Sequence, residues 1–366
     1  MMREQGKISS FQFFCLLTVC RVIAFFTFII TDKKGFSPGD RAILFVPFAI
    51  FGLLFSVPAL IVIGKEENGT LFDISNSLSP KITKLAAVLY TLGGLWSAAV
   101  STARFELFMS TVMYPGAQLF GFIALLAAAA VLIAKRGLET AGRTALAVTL
   151  LIGVSLLFVS LTNIGNFDYT NLSPPLTDGA APFLKSGFFA AARTSETAAL
   201  LVLAPKINGK IKKGLGIWFL TLGVTISALF FLISGVTGEY GEKQTFQLYS
   251  LTVLSKIGVI ERPDALICAV WVLCSLLRLA FYMYTCAQFL EGGFRFKSKT
   301  AVYAVFSAAV LALYAFLSES EETFSEVLSS GANEAIFAAL LAAFPAAVLA
   351  ADRIKKLYYK RKRAAH

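Results

Sequence analysis

Long apolar runs recur from one end of the chain to the other, separated by short polar breaks. A membrane-crossing helix needs about 20 predominantly apolar residues. Ten runs answer to this: 9–30, 42–63, 82–112, 118–134, 144–164, 183–204, 215–236, 264–290, 301–317 and 335–351. The breaks between them carry Gly, Pro, Asp, Asn and Lys, as in 32–40, 174–179 and 205–214. Two connections are longer. Residues 165–182 are polar, with Pro174 and Pro175 adjacent; residues 238–263 enclose 246–260, an apolar stretch too short and too polar to span. That stretch is expected to form an amphipathic helix on the outer surface. Pro47 and Pro58 are expected to kink the second helix.

Composition agrees with this pattern. Apolar residues make up 57%, charged residues only 15%, and mean hydropathy is +0.73. Soluble domains carry about 25% charged residues, so too few charges remain to coat a water-facing globule. The 34 phenylalanines suit a surface facing acyl tails. The reading is an all-α membrane protein with about ten transmembrane helices. It is one transmembrane domain over 1–366, with a first half at about 9–164, a second at about 183–351 and a basic tail at 352–366. The first run carries Arg21 and has no small-residue cleavage site, so it is expected to be retained rather than cut as a signal.

The net charge of +11 sits mainly in short loops and the tail, where Arg353, Lys355, Lys356, Lys360, Arg361, Lys362 and Arg363 surround Tyr358 and Tyr359. It reads as topology and contact with anionic lipid, not as nucleic-acid binding. With the N-terminus inside, 22 of the 33 Lys and Arg fall at inner segments and 8 at outer ones; Arg21, Arg193 and Arg278 lie within helices. Both termini are therefore expected to be cytoplasmic. The sequon Asn68-Gly69-Thr70 is then cytoplasmic too and is discounted. Ten helices divide as five plus five, and the odd number inverts the second half relative to the first. This is the inverted-repeat plan of many secondary transporters, with a midplane site at the first helix of each half.

Charges inside helices are the candidate chemistry, because each costs at least about 2.5–3.5 kcal/mol at the bilayer centre. Arg21 lies roughly 18 Å into the first helix at 1.5 Å per residue. Arg193 and Glu196 reach similar depth in the sixth, and Arg278 in the eighth. Arg193 and Glu196 are three apart on one face, so one reading pairs them with each other. The other reading sets the first and sixth helices side by side, with Arg21 taking an anionic group and Glu196 a cationic one, as an amino acid zwitterion offers. Thr194, Ser195 and Thr197 either satisfy backbone groups at an unwound turn or serve ordinary small-residue packing. Arg278 suits packing or ligand contact equally. Neither helix has a glycine at this depth, which counts against an open break. Arg104 and Glu106 stand near the outer end of the third helix on different faces. With Glu261 and Arg262 they are candidates for an outer-face gate or a partner contact, and 243–260 and 168–179 are candidate partner surfaces.

No metal, cofactor or enzyme site is expected. The cysteines Cys15, Cys20, Cys268, Cys274 and Cys286 all lie in apolar runs without CxxC spacing, and the one histidine is His366.

Several motifs resemble the permease-like B subunits of endospore germinant receptors. Lys7-Ile8-Ser9-Ser10-Phe11-Gln12 resembles the start of their first helix, and Ala103-Arg104 followed by Tyr114-Pro115 the end of their third. Glu196 with Ala204-Pro205 resembles their sixth helix. Glu261-Arg262-Pro263-Asp264-Ala265-Leu266, followed by Trp271, resembles the approach to their eighth. The resemblance implies an amino acid/polyamine/organocation (LeuT-like) fold and a ligand region between the first and sixth helices. It further implies a place in the inner membrane of a dormant spore and a nutrient-sensing role with an A subunit and a lipoprotein C subunit. The runner-up is a secondary transporter for amino acids or amines coupled to H⁺ or Na⁺; a third reading is a ligand-free membrane scaffold.

Overall fold

The structure, a computed structural model, describes residues 6–26, 37–65, 69–242, 244–255, 264–294, 296, 298–319, 324 and 331–364. Helix α1 (Ser10–Phe26) opens on a reciprocal cap: the Gln12 amide donates to Ser9 Oγ, and the Ser9 amide donates to Gln12 Oε1. Helices α2 (Pro38–Ile43) and α4 (Leu71–Leu78) start on the same device, built from Ser37 with Asp40 and from Thr70 with Asp73. Helix α3 (Phe45–Lys65) runs through Pro58 without interruption. Its Pro47 ring instead lies where a side chain on Gly187 would stand, so glycine there permits close packing.

Helix α5 (Pro80–Phe108) continues as one π turn through Met113. Helices α6 (Phe120–Arg136) and α7 (Leu138–Asn163) meet at Gly137, whose φ of 89° needs a glycine. The sixth predicted span is divided into α8 (Ala180–Ala192) and the short α9 (Leu200–Leu203). Then follow α10 (Ile211–Glu242, broken at Gly238), α11 (Gln247–Leu254), α12 (Asp264–Gly293) and α13 (Lys299–Ser318). The chain ends in α14 (Ala332–Ala338), a π turn, and α15 (Phe344–Ala364).

In their described residues all ten apolar runs contain helix, and seven of the described helices are long and apolar enough to cross a membrane. The other three fall short for separate reasons. The first is described only to Phe26, the fourth is 17 residues long, and the sixth is broken. Helix α12 is the axis of the bundle, with 72% of its span buried against 28% for α13. It packs on α1, α5, α6, α7 and α13. Helix α11 answers to the amphipathic stretch, but it buries Leu248 and Leu251 and packs on α7, α10 and α12. Asn163 Nδ2 fastens it by donating to Ser255 Oγ at 2.6 Å.

Two-residue strands join the ends of distant helices. Strand β1 (Ile8–Ser9) pairs in parallel with β2 (Ile207–Asn208), tying the start of α1 to the segment after α9. Lys65 binds Asp352 on α15 at 3.0 Å, and Lys206 and the tail stand at this same basic end. At the far end the buried Asp40 accepts from the Leu176 amide at 2.6 Å and pins the loop after α7.

Candidate functional site

The sixth span unwinds where its polar residues begin. Helix α8 stops at Ala192; Thr194 leaves helical geometry at φ −78°, ψ 48°, and Ser195–Ala199 form a 3₁₀ turn. The expectation that a glycine-poor helix stays closed is corrected here. An unwound turn needs partners for its freed carbonyls more than it needs glycine, and side chains supply them. Thr194 Oγ1 donates to Ala191 O at 2.6 Å, and Thr197 Oγ1 to Thr194 O at 2.8 Å. Arg21 reaches across from α1: Nη1 donates to Arg193 O at 2.6 Å and Nη2 to Ala190 O at 3.2 Å. Helix α1 itself is continuous through Phe26.

Around this break the structure gathers Arg21, Arg193, Thr194, Ser195, Glu196, Thr197 and Arg278. Arg193 and Glu196 do not pair as their spacing allowed. Arg193 turns to Glu334 on α14, with Nε and Nη2 each 2.5 Å from Oε1. Glu196 instead lies 3.9 Å from Arg21 Nε, an ion-pair distance too long for a hydrogen bond. It is 1% exposed, and neither carboxylate oxygen accepts a hydrogen bond among the described residues. Both Arg21 Nη atoms donate to backbone carbonyls, while its Nε faces Glu196.

Arg278 Nη1 donates to Cys20 O on α1, and its guanidinium lies 5.3 Å from the centre of the Tyr282 ring. Ser195 Oγ links Ser97 Oγ and Tyr282 OH, each at 2.9 Å, joining the break to α5 and α12. A cavity of about 20 Å³ adjoins it, with room for roughly one water. Its walls include Glu196, Ser195, Tyr282 and Thr285, and the buried Thr285 hydroxyl also lacks a hydrogen-bond partner among the described residues. Gly94 keeps α5 close to α12 at this level, since a side chain there would overlap Cys286 Sγ.

Sequence reasoning missed Ser97, Tyr282, Thr285 and Glu334. Tyr282 carried a signal, standing one turn after Arg278. Glu334 ends the stretch 318–334, which has five glutamates and no Lys or Arg and so suits an outer loop, but nothing in it singles out Glu334. Arg104 is half-buried on α5, seven residues past Ser97 and so on the same helix face. Glu106 faces elsewhere, toward Tyr314 of α13. Glu261 and Arg262 lie outside the described residues, as do 256–260.

Above the break, Phe108 stacks on Trp271 with ring centres 3.6 Å apart, and Phe246 meets Phe108 edge-on at 5.2 Å. On the basic side Lys206 Nζ donates to Tyr284 OH at 2.9 Å and to Gln288 Oε1, holding the end of the sixth span to α12. The site is thus a broken helix with a buried carboxylate and a cavity of one water's size, between aromatic rings on one side and a lysine tie on the other.

Comparison with known proteins places that site in a family. The family model described as "Spore germination protein" matches residues 7–326. The chain belongs to the spore germination protein family, whose members are permease-like membrane proteins. It is 24% identical over 250 residues to "Putative spore germination protein YfkT" of Bacillus subtilis (strain 168), covering 64% of this chain and 67% of that one. Among solved structures it is similar to a Na⁺-coupled sialic acid symporter in a substrate-bound outward-open state. The TM-score is 0.65 at 14% identity, over 94% of this chain and 78% of the symporter. The chain therefore has the LeuT-like fold of five plus five helices, and it is a multi-pass membrane protein.

Proposed function

We propose that the chain is the nutrient-sensing membrane subunit of a spore germinant receptor, with an amino acid as its ligand. The observation that carries this reading is the buried Glu196 carboxylate, without a hydrogen-bond donor among the described residues, beside an unwound turn and a cavity. A ligand ammonium supplies the missing donor. Such a group makes different contacts when the site is open and when it is closed, and that difference in affinity is all a sensor needs to shift a conformational balance. The protein works by binding and change of shape, not by catalysis. In this reading it sits in the spore inner membrane with both termini cytoplasmic, and it passes its signal to an A subunit and a lipoprotein C subunit.

The test is germination of host spores lacking the chain, challenged with single amino acids, sugars and nucleosides and followed by loss of refractility. Loss of response to one amino acid is the expected result; an unchanged response to every nutrient overturns it. The likeness in fold to a Na⁺-coupled symporter supports a second reading, secondary transport. Net amino acid uptake by liposomes holding the chain alone would favour that reading.

A further inference from the structure

Four arginines converge on the break, and three of them are committed. Arg21 caps the carbonyls of Ala190 and Arg193, Arg278 caps Cys20 O, and Arg193 is paired with Glu334. Arg104 differs. Among the described residues it has neither a hydrogen-bond nor an ion-pair partner, and its Nε is buried without an acceptor. Among the described residues its electrostatic neighbours are Arg193, Arg278 and Arg21, with Glu334 as an opposing charge. Helix period places it on the Ser97 face of α5, roughly 10 Å beyond the Ser97–Ser195 contact. It therefore stands above the break, one turn short of the Phe108–Trp271 stack.

A guanidinium left open among other cations calls for an anion. Its planar fork fits the two oxygens of a carboxylate. The first helix offers no alternative reader in its described part, since α1 has no broken turn to present free amides. We infer that Arg104 receives the carboxylate of the ligand, so that the site selects carboxylate-bearing nutrients over neutral sugars, nucleosides and simple amines. The inference rests on the ligand-binding reading above and makes Arg104 a specificity-determining residue within it.

The experiment uses the purified full chain in detergent and reads its unfolding temperature with two probes. One is a mixture of the L-amino acids; the other is a mixture of their C-terminal amides, which keep the ammonium and lose the negative charge. The acids are expected to raise the temperature of the wild type and the amides to act roughly tenfold more weakly or not at all. Arg104→Gln should lose the response to the acids yet unfold no earlier than the wild type without ligand, because among the described residues it breaks no hydrogen bond or ion pair. Should that variant not fold, Arg104→Lys keeps the charge without the fork and should respond roughly tenfold more weakly. Equal responses to acids and amides, or an Arg104→Gln response matching the wild type, would overturn the role of Arg104 and leave ligand sensing standing. No response of the wild type to either probe would overturn both.

Discussion

Arg21 is 3% exposed and spends two donors on backbone carbonyls that the unwound turn of the sixth span has released. Removing it strands both carbonyls and leaves Glu196 without its nearest cation. Arg21→Gln is therefore expected to destabilise the protein by about 3–5 kcal/mol, read as unfolding in detergent. Glu196→Gln strands no carbonyl; it should lower stability less while abolishing the nutrient response. The pair of Arg193 and Glu334 can be isolated by a double-mutant cycle with alanine at each position. A coupling of about 0.5–3 kcal/mol is expected, since Glu334 is 2% exposed. The sequence marked Arg21, Arg193, Glu196 and Arg278 as costly residues, because a charge inside an apolar run needs a partner whatever the fold. It did not mark their partners. Backbone carbonyls carry no sequence signature, and Glu334 lies 141 residues beyond the arginine it holds.

At the scale of elements, the break in the sixth span is a joint effect of three helices. Thr194 and Thr197 satisfy it locally, Arg21 from α1, and Ser97 and Tyr282 through Ser195. That is why glycine content misjudged it, while the ten apolar runs were read nearly to their ends. A run of apolar residues is a local property; an unwound turn stabilised from neighbouring helices is not. Close approach of α5 and α12 completes the joint. Gly94→Val should push Cys286 aside and cost about 1–3 kcal/mol through overpacking, visible as a lower unfolding temperature and a weakened response to the nutrient.

Across the whole molecule, basic residues gather at one end. Lys65 and Lys355 bind α15 to the bundle there, and strand pairing brings the chain start to the same end. Fusions should report both termini in the cytoplasm: a C-terminal fluorescent protein should fold and glow, and alkaline phosphatase at the same position should stay inactive. The strand pair has a mechanical meaning as well. Strand β1 pairs with β2 in register, Ile8 opposite Ile207, and so ties the start of the first span to the end of the sixth at the basic end. With that end tied, the non-helical Thr194 is the joint about which α8, the outer arm of the sixth span, would turn on the proposed ligand-sensing reading. Arg193, paired with Glu334, couples that joint to α14, so on the sensing reading a change at the break would be felt there.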